Sequence, residues 1–448
     1  DFCLSRGLGD VYKRQVYGKD AEKIKKFDTY EGLMEELEKN KDIEAVVIAL
    51  PLNMHAKAAI DVMNIGKKRG KPIHVLCEKL MAWNVAQCKK MIRTAKDCNS
   101  LLSIGHQRHY SMLYAHASEV MNAGVLGDVR CIRALWHRNF SWPFKLDPKM
   151  GKLVENIPQP YFRDSWFPPI THLDYDALAS KPDMLKKFGY DSVEQLIRWR
   201  LYQATGGGLM AELGGHQLDA CSIFLGKVHP IAVSGVGVRS FYAPGHNDRD
   251  IDDHVFATFE FPGKNYARDQ HDKVVVTYSS ISTNQFENYG ECVMGNRGTM
   301  LVESEKTVML YSEKDPTKSS LPPRAMEVGV SASGKEKPVL ESGSSSVGPV
   351  AAPNAVPTGT ASSDTPPSKG YREEMEDFAY CVRLWNQGSE KDRRLPRCHG
   401  TVAMADTIVA LTANHAMKSH QRIEFKNAWF DPTSDEVPPG EQKAKVEA

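Results

Sequence analysis

The chain has 448 residues, 41% hydrophobic and 25% charged, with a formal net charge of +1. That length suits two domains with cores of their own. The near-neutral balance excludes an electrostatic case for nucleic acid or an anionic membrane as partner, and no apolar run approaches bilayer length.

Residues 1–15, "DFCLSRGLGDVYKRQ", show no secretory pattern and no periodicity, and read as non-native read-through outside fold reasoning. From residue 20 to 105 helix and strand alternate. "AEKIKKF" and "YEGLMEELEKN" read as short helices, and "EAVVIALP" as a buried strand ending at Pro51. "NMHAKAAIDVMNIGKKRG" reads as a helix with Asn53 as N-cap and Gly66 or Gly70 near its stop. Strand "IHVLCEK", helix "NVAQCKKMIRTAKDC" and strand "LLSIG" follow. Short apolar strands separated by helices imply βαβ units and a doubly wound parallel sheet, here lacking its first part. The fold class expected is therefore α/β, a partial Rossmann domain followed by an α+β domain with a mostly antiparallel open sheet.

After the helix "YSMLYAHASEVMNAG" the pattern changes. "DVRCIRALWHRN", "IAVSGVGVRSFY", "DHVFATFEF", "KVVVTYSSIS" and "GTMLVE" alternate as strands, interrupted by an aromatic- and Pro-rich insertion at 139–198. Residues 313–370 are rich in Pro, Ser, Gly and Ala, nearly free of aromatics, and read as a disordered, passive spacer. Two helices close the chain, "YREEMEDFAYCVRLW" and "TVAMADTIVALTANHAMKS". The expected division is 16–126, 127–312 and 371–448, around the spacer. Nine cysteines without a CxxC pair read as reduced thiols, hence a cytoplasmic location.

Two clusters carry chemistry. In a doubly wound sheet, ligands bind beyond the carboxyl ends of the strands. Pro51–His55, Glu78–Lys79 and Gly105–Arg108 all follow such ends, so three polar tips converge on one crevice. A charge pair in any one of these loops would ordinarily be solvated; together they indicate a site. The second cluster is "TGGGLMAELGGHQLDA", where Glu212 and His216 are four apart and Asp219 three further on. A carboxylate one turn from a histidine can orient it and tune its pKa for general acid/base work. Gly214 and Gly215 weaken a helix, so something is expected to approach it closely there. A metal is not expected: no second histidine lies at helical spacing and no cysteine is near.

In "VVIALPLNMHAKAA", "GKPIHVLCEKLMA", "GHQRHYSMLYAHASEVMNAGVLGDV", "GGGLMAELGGHQLD" and "GNRGTML", taken in that order across residues 44–303, the sequence resembles the Gfo/Idh/MocA (glucose–fructose oxidoreductase/inositol dehydrogenase) family. The resemblance implies a Rossmann domain binding NAD or NADP, a second domain covering a sugar or polyol substrate, and a homo-oligomer. It implies Lys79 between nicotinamide and substrate, Glu78 beside the cofactor, and His216 as the catalytic histidine with Glu212 where the family usually has Asp. Pro51, Asn53 and His55 match the loop beside the cofactor, and Gln107 and Arg108 the turn near the nicotinamide. Leu80 stands where the motif has Pro, and the Gly-rich fingerprint is not found. The extra methylene of Glu212 lets its carboxylate reach further than Asp would.

The implied reaction is reversible hydride transfer between a carbinol carbon and nicotinamide, with His216 as base, Glu212 holding it, and Lys79 on the same oxygen. Trp166 and Trp199 are the aromatics favoured to pack against a sugar ring. Two rivals share the fold: an NAD-dependent, redox-neutral glycosidase, and a non-catalytic sugar- or cofactor-sensing regulator. The pairing of Lys79 with His216 argues against the regulator.

Overall fold

The computed structural model describes residues 18, 22, 24–139, 143–144, 161–162, 165–168, 170, 172–240, 249–313, 325–331, 339–345 and 368–441. The read-through expected at 1–15 lies outside these residues. The first described helix, α1 (Tyr30–Lys39), starts at Thr29, whose side chain accepts from the Gly32 amide. The helix expected over 21–27 does not form at 24–27. Seven residues cannot repay helix nucleation without a packed face.

Strands β1 (Ala45–Ile48), β2 (His74–Glu78) and β3 (Leu102–Gly105) form a parallel sheet in that order. Helices α2 (His55–Lys68) and α3 (Val85–Asp97) make the crossovers. Asn84 caps α3, accepting from the Gln87 amide at 2.8 Å. Asn53 does not cap α2. It lies in a 3-10 turn, Leu52–Met54, and its side chain donates to the Phe188 carbonyl and accepts from the Tyr190 hydroxyl. A distant partner has taken the carboxamide that local spacing assigned to the helix end. In the sheet, Glu78 is paired opposite Gly105. The register therefore brings Lys79 and the His106–Gln107 turn to one level at the carboxyl edge.

After α4 (Met112–Asn122) the chain builds the second sheet. Its strands are β4 (Val129–His137), β7 (Ala232–Val238), β8 (His254–Pro262), β9 (Lys273–Ile281), β10 (Tyr289–Gly295), β11 (Gly298–Glu303), β12 (Thr307–Ser312), β13 (Ala325–Ser331), β14 (Val339–Ser345) and β15 (Ile423–Glu424). They run in the order β14-β13-β12-β11-β10-β4-β9-β8-β7-β15. Every neighbouring pair is antiparallel except β4 and β9. Alternation sends Val255, Ala257, Phe259 and Phe261 of β8 into the core. The opposite face leaves Val236, Phe256 and Val275 exposed.

The stretch expected to be disordered, 313–370, supplies β13 and β14. Averaging over its Pro/Ser/Gly content hid the short "AMEVGVS" run, which pairs backbone to backbone with β12. The rest of that expectation, apart from Glu313 and residues 368–370, lies outside the described residues. The 139–198 insertion contributes a short hairpin, β5 (Pro143–Phe144) with β6 (Tyr161–Phe162), and helices α5 (His172–Ala179), α6 (Pro182–Lys187) and α7 (Val193–Ile197).

Helices α8 (Gly215–Phe224), α9 (Tyr371–Gln387), α10 (Gly400–Ser419) and α11 (Asn427–Phe430) complete the described fold. One core joins both sheets, from Ile48, Val75 and Ile104 to Val276, Val293 and Met404. Because the core is continuous, the edge of the parallel sheet is held against α8.

Candidate active site between the two sheets

A cavity of about 420 Å³ opens at that junction, lined by Glu78, Lys79, Gln107, Ser165, Trp166, Arg200, Glu212, Leu213, His216 and Tyr371. Glu78, Lys79 and Gln107 come from the tips of β2 and β3. Glu212, Leu213 and His216 come from the other cluster singled out in the sequence. The two clusters, more than a hundred residues apart in the chain, share one wall.

Gly207 and Gly208 have φ of +82° and +73°, a left-handed turn that other residues rarely adopt. The turn leads into a π-helical segment, Met210–Gly214, and then into α8. The close approach expected at the Gly214–Gly215 pair is made by the protein itself. A Cβ on Gly215 would stand 2.8 Å from Cδ2 of Leu80, the residue after Lys79. The missing side chain thus lets the Lys79 tip press against the start of α8, next to His216.

Lys79 donates from Nζ to the Glu212 carbonyl at 2.7 Å, and its ammonium lies 3.8 Å from the Glu212 carboxylate. The same carboxylate accepts from Arg200 Nε at 2.9 Å. Glu212 therefore holds Lys79 and Arg200, and among the described residues it makes no hydrogen bond to His216. The π turn is the reason: its wider winding removes the facing that four-residue spacing gives in an α-helix. The extra methylene is what carries the carboxylate to Arg200.

The His216 ring packs against Trp136, centroids 5.7 Å apart, and its backbone carbonyl accepts from Arg108 Nη1 at 2.7 Å. Burial, with Lys79 and Arg108 nearby, pushes the imidazole pKa well below its ordinary 6.5. At neutral pH this histidine is uncharged and able to accept a proton. Burial likewise raises the Glu78 carboxyl above its usual range. Gln107 is 2% exposed, and its side-chain oxygen has no partner.

Several residues expected at the cofactor do not line the cavity. Arg108 is fully buried; Nε donates to Glu305 and Nη1 to Glu291, both at 2.7 Å, and its guanidinium lies over Tyr114. It ties the second sheet to α8. Pro51 is buried, and Asn53 is committed to Phe188 and Tyr190. The ring nitrogens of His55 each sit 2.8 Å from a carbonyl oxygen, of Leu50 and of Leu80, fastening the β1 and β2 tips together. Trp199 is set back from the cavity, beneath the Arg200 guanidinium at 4.3 Å, whereas Trp166 lines it.

Behind α8 lies a group that spacing alone did not bring together. Asp219 accepts from Lys227 at 2.8 Å and sits 2.7 Å from His109 Nε2; Lys227 also reaches Asp406 at 3.2 Å. His106, Asp219 and Asp406 each place a donor atom within 4.8 Å of the others, close enough for a metal ion. The Lys227 ammonium already supplies positive charge there. Burial raises Asp219, but His109, Lys227 and His106 outweigh it and hold that carboxyl well below its usual range. Asp406 is pushed up to about 7 by burial, against the pull of Lys227. Tyr371 and Arg200 also line the wall and were not singled out in the sequence, since neither lies in the two clusters there.

Comparison with known proteins fits this arrangement. The pattern of the "Oxidoreductase family, NAD-binding Rossmann fold" matches residues 13–106, and that of the "GFO/IDH/MocA C-terminal domain" matches 186–300. Both are patterns of the Gfo/Idh/MocA family, and together they match a little under half of the chain. It is 34% identical over 109 residues to a 1-carboxy-3-chloro-3,4-dihydroxycyclohexa-1,5-diene dehydrogenase of Comamonas testosteroni, covering 24% of this chain and 26% of that one. It is 28% identical over 128 residues to an inositol 2-dehydrogenase of Salmonella paratyphi B, covering 28% and 33%. The match thus spans about a quarter to a third of those curated relatives. A solved inositol dehydrogenase homologue of Azotobacter vinelandii, complexed with NADH and myo-inositol, shares the fold at a TM-score of 0.59 and 14% identity, over 94% of this chain and 88% of that one. A levoglucosan dehydrogenase in complex with NADH does so at 0.54 and 14%, over 89% and 83%.

Proposed function

We propose that this chain is an NAD(P)-dependent oxidoreductase that moves a hydride between a carbinol carbon of a sugar or polyol and nicotinamide. The observation that carries this is the meeting of Lys79 and His216 in one cavity, an ammonium from a strand tip of the parallel sheet and a neutral imidazole from helix α8. Its volume falls within the range of small-molecule sites. The family whose patterns it matches, and relatives named as dehydrogenases of inositol and of a dihydroxylated ring, support the same reading.

The walls fit a nicotinamide. The cavity lies beyond the carboxyl ends of parallel strands, where such folds bind dinucleotides, and Gln107 offers a buried oxygen without a partner. Glu78, Lys79 and Gln107 would hold the ring; when bound, it supplies the hydride acceptor. His216 takes the proton of the substrate hydroxyl, which its depressed pKa permits. Lys79 donates to that oxygen and stabilises the charge developing on it. Glu212 positions Lys79 through its carbonyl and carboxylate, rather than orienting His216. Trp166 gives an apolar surface for a sugar ring. Residues 16–126 serve as the cofactor domain and 127–312 as the substrate domain. The exposed Val236, Phe256 and Val275 support self-association through the open sheet. Among the described residues no helix is long and apolar enough to cross a membrane.

The test follows nicotinamide absorbance while free sugars, inositols and aryl glycosides are added, with Lys79→Ala as control. Reduction of NAD or NADP, lost in the control, is the expected result. Aglycone release without net absorbance change would replace this reading with the redox-neutral glycosidase. Cofactor binding with neither reaction would replace it with the regulator.

A further inference from the structure

We propose that the preferred substrate is a sugar acid whose carboxylate is read by Arg200. This inference rests on the sugar-oxidoreductase reading above and names the substrate class for the same cavity. Arg200 sits on a 3-10 turn, Trp199–Leu201, that is braced from two sides. The Thr205 hydroxyl donates to the Trp199 carbonyl at 2.7 Å, and Gly206 lies so close that a Cβ there would be 2.9 Å from the Arg200 Cα. The guanidinium is fixed as well, by Trp199 beneath it at 4.3 Å and by Glu212 at 2.9 Å from Nε.

Among the described residues, Glu212 is the one group that Arg200 hydrogen-bonds, and it takes only Nε. Both Nη groups remain, on a side chain that is 43% exposed and lines the cavity. A planar fork held in place with its outer edge unused is the arrangement that matches a carboxylate with two parallel hydrogen bonds.

Charge balance points the same way. The cavity has two cations, Lys79 and Arg200, and two carboxyls, Glu78 and Glu212. Burial raises the Glu78 pKa, and of the two carboxyls it is Glu212 that meets the cations directly, 2.9 Å from Arg200 Nε and 3.8 Å from the Lys79 ammonium. A monoanion suits this better than a phosphate dianion, which would bring extra negative charge towards Glu212. The neighbouring Trp166 provides a ring surface for the sugar itself.

The test measures binding calorimetrically, with and without NADH, for glucuronate, galacturonate and gluconate against glucose and galactose, with glucose 6-phosphate as a second oxyanion. The wild-type chain should bind at least one acid about tenfold or more tighter than its neutral counterpart, as one charge-assisted hydrogen bond would give. Arg200→Gln should bring that ratio close to one, and Arg200→Lys should leave it in between, with melting temperatures confirming that both variants fold. Equal or weaker binding of every acid, or a ratio that Arg200→Gln does not change, would overturn the proposal. Tighter binding of glucose 6-phosphate than of any acid would overturn it in favour of a phosphate ester. Binding needs no turnover, so the two readings fail separately. Acid preference without nicotinamide reduction would refute the redox assignment alone. Reduction by neutral sugars without acid preference would refute this inference alone.

Discussion

The two sides of α8 use the same kinds of side chain to different ends. Towards the cavity stand Lys79, Glu212, Arg200 and His216, with Arg200 bonded only through Nε and its outer edge open to the cavity. On the other side, Arg108 with Glu291 and Glu305, and Lys227 with Asp219 and Asp406, are locked in mutual ion pairs within the core. The clearest contrast lies within a single turn. Gln107 faces the cavity, while His106 and Arg108 on either side of it are built into the frame. Chemistry is placed where charge has room to change partners, and the ion pairs behind hold the backbone that presents it.

Breaking the cavity side should cost turnover rather than stability. Lys79→Ala or His216→Ala is expected to lower kcat by about 10²–10⁴-fold, the usual worth of a positioned acid or base, with little change in melting temperature. Steady-state kinetics beside thermal denaturation checks this, and a loss under threefold for either would remove that residue from the chemistry.

Breaking the frame should do the reverse. Arg108→Met leaves Glu291 and Glu305 buried without their guanidinium and should cost about 3–5 kcal/mol of unfolding free energy, read from urea titration. A cost below about 1 kcal/mol, the range of exposed pairs, would show that the buried network does not hold the two sheets together.

Gly215→Ala probes the contact between the two sides. Its Cβ would stand 2.8 Å from Leu80, so either the Lys79 tip or α8 must shift. The expected cost is about 1–3 kcal/mol, with a loss of kcat larger than that loss of stability explains. Full activity with unchanged stability would mean that the approach is not tight in solution.

These contrasts also explain what could be read without the structure. The strand tips and the glycine-rich helix start were visible because apolar runs ending in charge, and glycines placed where a helix suffers for them, are local signals. Lys79, His216 and Gln107 come together as those signals implied. Arg108, Asn53 and His55 look equally polar in the sequence but are spent on Glu291, Phe188 and Leu80, partners set by tertiary packing alone. Glu212 was placed on the right wall and given the wrong neighbour, because the α-helical period was applied across a π turn. Strands β10 and β12 were passed over, and β13 was masked by the composition of the stretch around it.

The smallest expected effect concerns pH. Burial, with Glu78 and Asp219 nearby, pushes the Glu374 carboxyl up to about 8 from an ordinary 4.5. The folded chain therefore binds a proton that the unfolded chain has released, and stability falls as pH rises between those values. Glu291 and Asp406, each pushed up to about 7 by burial, act in the same direction. Glu374→Gln, neutral at every pH, should flatten the fall in melting temperature between pH 4.5 and 8, with little difference at the acid end. Parallel curves for variant and wild type would contradict it.

The measurement that bears most directly on the central claim is a double-mutant cycle on kcat, with Lys79→Ala, His216→Ala and both together, using the best substrate from the sugar panel. If the two side chains act on one oxygen in one cavity, the double variant should be little slower than the worse single variant, because either loss already disables the pair. If instead the two losses multiply, Lys79 and His216 act independently and the shared site described here is wrong.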